Sequence, residues 1–313
     1  MSEEGRVIKS TGNFYTVVTS EMEKVDCILT GRYRLEDLKS TNPVVVGDLV
    51  VFDRIAREKQ GRIIDVLERK NYIIRKSSKL SKTYQVIAAN IDQLFLMATI
   101  AYPKTFPEFI DRYLVTAEAY SIPSILLFNK TDLYDHTQFG YLKELMNTYT
   151  KIGYPCYAVS SLNKNHLIKL EKLFIDKITL IAGNSGVGKS TFINTLFPDL
   201  NLKTQEISNH HQKGKHTTTF VEMFPLPCSG YIIDTPGIKG FGIIDMENEP
   251  LFHYFPELFR ISKYCKYYNC IHVNEPDCAV IDALEKGEIS LSRYKSYLSL
   301  LEEQKDINNK YRK

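Results

Sequence analysis

The chain has 313 residues, 43% of them hydrophobic, enough to bury a sizeable core in two or three domains. A formal net charge of +3 is too mild to mark the whole surface for nucleic acid, so any basic surface must be local. No stretch is apolar for long enough to span a bilayer, no secretory signal follows Met1, and six cysteines are too sparse for a disulfide scaffold. Together these features point to a reducing cytoplasm.

Up to about Ile74 the chain reads as short β-type runs, Phe14 to Val18, Val44 to Phe52 and Ile63 to Leu67, broken by turn residues at Gly12-Asn13, Asn42-Pro43, Gly47-Asp48 and Gly61. Five or so strands in about 70 residues fit a small antiparallel barrel of OB type. Between Arg69 and Lys82 lie six basic residues and no acidic one (Arg69, Lys70, Arg75, Lys76, Lys79, Lys82); on charge alone this is a solvated linker. Strands then alternate with helices: Leu94 to Ile100, Ser124 to Phe128, Tyr157 to Val159 and Ile178 to Ala182 as strands; Pro107 to Tyr120, Tyr141 to Thr150, His166 to Phe174 and Lys189 to Leu196 as helices. This pattern predicts a mostly parallel sheet covered on both faces. Two further strands are expected near Thr219 to Phe224 and Tyr231 to Ile233, and from about Glu249 the chain becomes helical and aromatic-rich.

Gly183-Asn184-Ser185-Gly186-Val187-Gly188-Lys189-Ser190 follows a predicted strand and opens a helix, the context of a phosphate-binding loop. Its glycines let backbone N–H groups converge on phosphates at the positive end of a helix. Lys189 is expected on the β- and γ-phosphates, Ser190 on Mg²⁺ and Thr191 near the α-phosphate. Asn129-Lys130-Thr131-Asp132 follows an apolar strand and suits guanine: the Asp132 carboxylate accepts from the ring N–H and exocyclic amine, which adenine does not present, and leaving it unpaired would reject the wrong base. Lys130 is expected over the base plane, Asn129 as a tie to the phosphate loop, and Ser160 and Ser161 as support from the other side. Asp234-Thr235-Pro236-Gly237 matches the Asp-x-x-Gly of GTPases, with Asp234 holding Mg²⁺ through water and the Gly237 N–H sensing the γ-phosphate. The residue after that glycine is Ile238, which cannot orient water, so slow intrinsic turnover is expected until a partner acts. The candidate substitute is His216 in Gly214-Lys215-His216-Thr217-Thr218-Thr219, where Thr217 or Thr218 would complete the Mg²⁺ shell. The other reading of His216 is a solvated loop residue like His210 and His211.

The guanine-reading motif precedes the phosphate loop, the reverse of the usual GTPase order, which implies a circularly permuted domain. Farther on, Cys265-x4-Cys270-x-His272-x5-Cys278 offers a Cys3His set suited to one closed, structural zinc site. Cys27, Cys156 and Cys228 are scattered and read as ordinary thiols.

The permuted order, the Gly-Lys-His-Thr-Thr-Thr string, the Asp-Thr-Pro-Gly-Ile segment and the Cys3His cluster closely resemble the RsgA family (also called YjeQ or YloQ) over essentially the whole chain. The resemblance implies a GTPase of small-ribosomal-subunit maturation, stimulated by the subunit and released afterwards, with an OB-fold that contacts ribosomal RNA. The chain is read as residues 1–74, an OB-fold RNA-binding domain, 75–245, the permuted GTPase domain, and 246–313, a helical zinc-binding domain, binding GTP or GDP, Mg²⁺ and one zinc; nothing in the sequence suggests a symmetric interface, so a cytoplasmic monomer is expected. Lys215 stands where the family usually has arginine, which keeps charge but loses the planar fork. On this resemblance the basic segment is expected to track an RNA backbone, while the end Lys310-Tyr311-Arg312-Lys313 reads equally as such a contact or as a frayed, solvated tail. The alternative is an RNA-binding assembly protein that holds GTP as a structural ligand with incidental hydrolysis. The permuted order also leads the chain from Gly237 straight into the zinc domain, so the γ-phosphate is expected to reposition that domain.

Overall fold

The computed structural model describes residues 2–29, 43–55, 60–76, 84–202, 221–234 and 250–311. Strands β1 (Ser2–Thr11), β2 (Phe14–Thr19), β3 (Lys24–Leu29), β4 (Leu49–Arg54) and β5 (Gln60–Val66) run in the order β1-β2-β3-β5-β4. Pairing of β4 with β1 closes the ring. All contacts are antiparallel except β3 with β5, so the expected OB-type barrel is present with one parallel seam. Alternate residues fill it, among them Val7, Val17, Val25, Val50, Phe52 and Ile63, as the two-residue period of strands requires. The predicted run from Val44 divides. Buried Asp48 accepts from the Val45 N–H at 2.8 Å, and only from Leu49 does the chain extend as a strand.

The basic segment is not simply a linker. Arg69 closes on Asp48 at 2.7 Å, and Lys70 reaches Asp92 at 3.2 Å. Strand β6 (Tyr72–Lys76) then pairs with β7 (Tyr84–Ala89). Lys79 and Lys82 lie outside the described residues.

The second layer system is a parallel sheet of β8 (Gln93–Ala98), β9 (Ser124–Phe128), β10 (Cys156–Ala158), β11 (Ile178–Gly183) and β13 (Tyr231–Asp234), in the order β10-β9-β8-β11-β13. Its two faces separate by parity. Leu94, Leu96, Leu126, Phe128 and Leu180 meet α1 (Pro107–Ala119) and α2 (His136–Ile152). Phe95, Met97, Leu127 and Ile181 meet α3 (Lys164–Glu171) and α4 (Lys189–Leu196). Helix α2 starts five residues before the predicted Tyr141, because Asp135 caps it by accepting from the Gln138 N–H at 2.8 Å while Gln138 returns a bond to the Asp135 N–H. Antiparallel β12 (Glu222–Pro225) flanks β13 and pairs through Glu222 with Lys9 of β1. Barrel and sheet are therefore one hydrogen-bonded surface of eleven strands.

The C-terminal region holds a 3₁₀ turn at Leu251–Tyr254, α5 (Pro256–Ser262), α6 (Ala279–Glu285) and α7 (Leu291–Tyr311). Its core, with Phe255, Leu258, Val280, Tyr297 and Leu300, includes Val115 of α1. No helix among the described residues is long and apolar enough to cross a membrane.

Candidate nucleotide site and metal centre

Every parallel strand ends on the same edge of the sheet, where open α/β sheets bind ligands. Strand β11 passes into the predicted phosphate loop, and Gly183, Gly186 and Gly188 there have φ of 145°, 79° and 100°, values that L side chains rarely adopt. A Cβ on Gly183 would lie 2.3 Å from the Met97 carbonyl oxygen, and one on Gly188 would lie 2.4 Å from Asn129 Nδ2. The loop thus needs glycine both for its turns and for its closeness to the neighbouring loops. Val187 is buried beneath it, Asn184 is half-buried and Ser185 is exposed. Lys189 donates to the carbonyls of Gly183 and Asn184, each at 2.9 Å, so its ammonium lies over the loop mouth. Ser190 and Thr191 follow on the first turn of α4.

Asn129 is 1% exposed and joins three loops. Its amide donates to the Val187 carbonyl at 2.8 Å and its oxygen accepts from the Ser161 N–H at 2.9 Å. Lys130 has φ of 65° and donates to the Tyr102 carbonyl at 2.5 Å; the next residue, Pro103, packs 3.6 Å from the Cβ position of Gly186. The Thr131 N–H bonds the Val159 carbonyl at 3.2 Å. Thr131, Asp132, Ser160 and Leu162 line one open cavity of about 560 Å³, and Asp132 forms no ion pair among the described residues. Asp234 ends β13 level with Ile181 of the phosphate-loop strand. His216, Thr217, Thr218, Gly237, Lys215 and Ile238 lie outside the described residues.

Two residues at this edge carried no sequence signal. Tyr134 donates its hydroxyl to the Asn129 carbonyl and accepts from the Ile100 N–H at 3.1 Å. Thr195 on α4 donates towards the Ser161 carbonyl at 2.8 Å. Both are isolated residues outside any motif, and only the fold brings them to the site.

The four predicted metal ligands come together, with ligand atoms all within 4.8 Å of one another. Cys265 Sγ lies 3.9 Å from Cys278 Sγ and 3.6 Å from His272 Nδ1; Cys278 Sγ lies 3.6 Å from Cys270 Sγ and 3.4 Å from His272 Nδ1. A zinc tetrahedron with bonds of about 2.3 Å to sulfur and about 2.0 Å to nitrogen has S–S edges near 3.8 Å and S–N edges near 3.5 Å. The residues fit that ion. Burial pushes the Cys270 thiol up to about 12, raises the Cys278 thiol and lowers the His272 imidazole, so charge on the Cys270 and Cys278 sulfurs depends on a cation among them. The loop is braced from outside: Tyr294 and Tyr297 donate to the carbonyls of His272 and Ile271 at 2.7 and 2.5 Å, and Glu275 accepts from the N–H groups of Ile271 and Val273, each at 2.8 Å.

A guanine-type loop that precedes the phosphate loop in the chain yet lies beside it on one sheet edge defines a circularly permuted P-loop GTPase. Residues 66–244 match the family described as RsgA GTPase, and residues 4–63 match the RsgA N-terminal domain. The chain belongs to the RsgA GTPase family. It is 53% identical over 309 residues to a Phocaeicola vulgatus protein called small ribosomal subunit biogenesis GTPase RsgA, covering 99% of both chains, and 50% identical over 305 residues to the Christiangramia forsetii protein of that name, covering 97% of both. The crystal structure of YjeQ from Thermotoga maritima superposes with a TM-score of 0.78 at 33% identity, over 97% of this chain and 98% of that one. That of YloQ, described as a circularly permuted GTPase, gives 0.76 at 30% identity, over 98% and 96%.

Proposed function

We propose that the chain binds GTP with Mg²⁺ at the sheet edge, docks on the small ribosomal subunit and hydrolyses GTP when docked, assisting late maturation of that particle. The observation that carries the nucleotide reading is the Asn129 bridge, which holds the base loop, the Ser161 loop and the phosphate loop in one frame. The names of relatives about half identical over nearly the whole chain support the ribosomal role.

In this reading Asp132 pairs with the guanine edge, Lys130 covers the base plane, and Thr131, Ser160 and Ser161 support it. Backbone N–H groups from Gly183 to Lys189 cradle the phosphates. Lys189 leaves the loop carbonyls for the β- and γ-phosphates, while Ser190, Asp234 and Thr217 or Thr218 hold Mg²⁺, with Thr191 near the α-phosphate. Bound Mg²⁺ supplies neutralisation of charge on the phosphate oxygens. The Gly237 N–H senses the γ-phosphate, and His216 orients the attacking water when the chain is docked on the subunit. Cys265, Cys270, His272 and Cys278 hold one structural zinc. Residues 1–74 form the ribosomal-RNA-binding domain, 75–245 the GTPase domain and 246–313 the zinc domain of a cytoplasmic monomer.

The deciding measurement is GTP turnover with and without purified small subunits. Strong stimulation that His216→Ala removes while GTP affinity persists fits the proposal. Ile238 favours a second reading, GTP as a fixed structural ligand, and turnover indifferent to the subunit would select it.

A further inference from the structure

Ser161 is the pivot of the guanine-side loop, and its own side chain does not hold it. Its Oγ is buried and has no hydrogen-bond partner among the described residues, although the residue is only 4% exposed. Two bonds to its backbone fix it instead. The N–H donates to Asn129 Oδ1 at 2.9 Å, from the base-reading loop. The carbonyl accepts from Thr195 Oγ1 at 2.8 Å, from the helix that carries Lys189, Ser190 and Thr191. The same hydroxyl lies 2.8 Å from the Thr191 carbonyl, so it stands between two acceptors, one in the first turn of the phosphate helix and one in the base loop. Because a peptide unit is planar, holding the Ser161 carbonyl sets the plane that continues to Leu162, which lines the cavity with Asp132.

We infer that Thr195 is a positioning residue for guanine: it docks the base-supporting loop onto the phosphate helix, so the two halves of the nucleotide site keep one spacing. The inference rests on the nucleotide-site reading above. Without the hydroxyl the helix remains, yet a buried carbonyl loses its partner and the Asn129 bond alone holds Ser161 against the base loop.

The test uses the full chain and three probes: a fluorescent GDP analogue, unlabelled GDP against IDP in competition, and inorganic tripolyphosphate, which occupies only the phosphate half. Thr195→Val keeps shape and branching but removes the donor. The expected result is GDP binding weakened about five- to tenfold, as for one lost hydrogen bond, a narrowed preference for GDP over IDP, unchanged tripolyphosphate binding, and recovery in Thr195→Ser. Should the valine variant not fold, Thr195→Ala carries the same expectation. GDP affinity and GDP-over-IDP preference equal to wild type would overturn the inference, as would equal weakening of tripolyphosphate, which marks a general loss of the helix. Wild-type chain that binds no guanine nucleotide would overturn the site reading itself, and this inference with it.

Discussion

The guanidinium of Arg293 on α7 lies 2.8 Å from the carboxylate of Asp111 on α1, with the two side chains 1% and 0% exposed. Arg293 also binds Glu257 of α5 at 2.6 Å, and its Cζ lies 4.6 Å from the Phe255 ring centre. Tyr149 of α2 donates to the same Asp111 oxygen at 2.7 Å. The region of the Cys265–Cys278 cluster is thus bolted to the parallel sheet through a helix that begins just after the loop touching Lys130 and Gly186. Arg293→Met leaves two buried carboxylates without their cation and is expected to cost about 3–5 kcal/mol. Urea unfolding measures it, and an unchanged midpoint would show that the network contributes no stability. Replacing Asp111, Glu257 and Arg293 together with neutral residues is expected to recover much of the loss, because no charge is then stranded.

Burial holds the Glu118 carboxyl above its usual range, with the Tyr154 hydroxyl at 2.9 Å opposing that shift. A folded-state pKa raised above the unfolded value favours the protonated fold. The contribution is fully present below the unfolded pKa of 4.5 and is lost as pH rises through the folded value. Glu118→Gln keeps an oxygen for Tyr154 and removes the titration. Its urea midpoint is expected to match or exceed wild type at neutral pH and to vary less between acid and neutral pH; a lower neutral midpoint would contradict this.

Gly188→Ala is expected to weaken GDP binding about 10- to 100-fold, the range of one strained backbone position, by driving Asn129 from its place. Gly140, inside α2 with open space around its Cβ position, is the contrast. Gly140→Ala is expected to stabilise the fold by about 0.5–1 kcal/mol and leave nucleotide binding alone. Asp132→Asn is expected to weaken GTP and favour xanthosine triphosphate, whose base complements an amide; equal selectivity for GTP would remove Asp132 from base reading.

Purified protein is expected to carry close to one zinc per chain. Chelation or Cys270→Ser should abolish amide protection across α5, α6 and the Cys265–Cys278 loop while sparing the barrel, whose core shares no residue with that cluster. A zinc content near zero in folded protein would refute the metal assignment.

Contiguous motifs were readable because backbone chemistry ties them to short spacings. Gly183 to Ser190 and the Cys265 to Cys278 cluster needed no knowledge of distant contacts, and strand β9 and helix α4 fall on the predicted residues. What escaped depends on partners far along the chain. Strand β1 carries Glu3, Glu4, Arg6 and Lys9 among its apolar residues and looks irregular until its pairings are known. Arg69 reads as solvated charge until Asp48, 21 residues earlier, is found buried against it. Thr195 and Tyr134 act through backbone carbonyls, which impose no side-chain pattern.

Strand β1 changes neighbours along its length. Ser2 to Arg6 pair with β4, and after a register shift between Val7 and Lys9 the strand meets β12 at Glu222. A bulge of this kind re-aims a strand between two sheets. During synthesis the ring of β1 to β5 is complete once residue 66 has emerged, whereas the outer half of β1 waits for a partner more than 150 residues later. Until then it is an open edge, and such edges recruit other chains. Lys9, the one charged residue of that outer half, is the kind of side chain that discourages such recruitment.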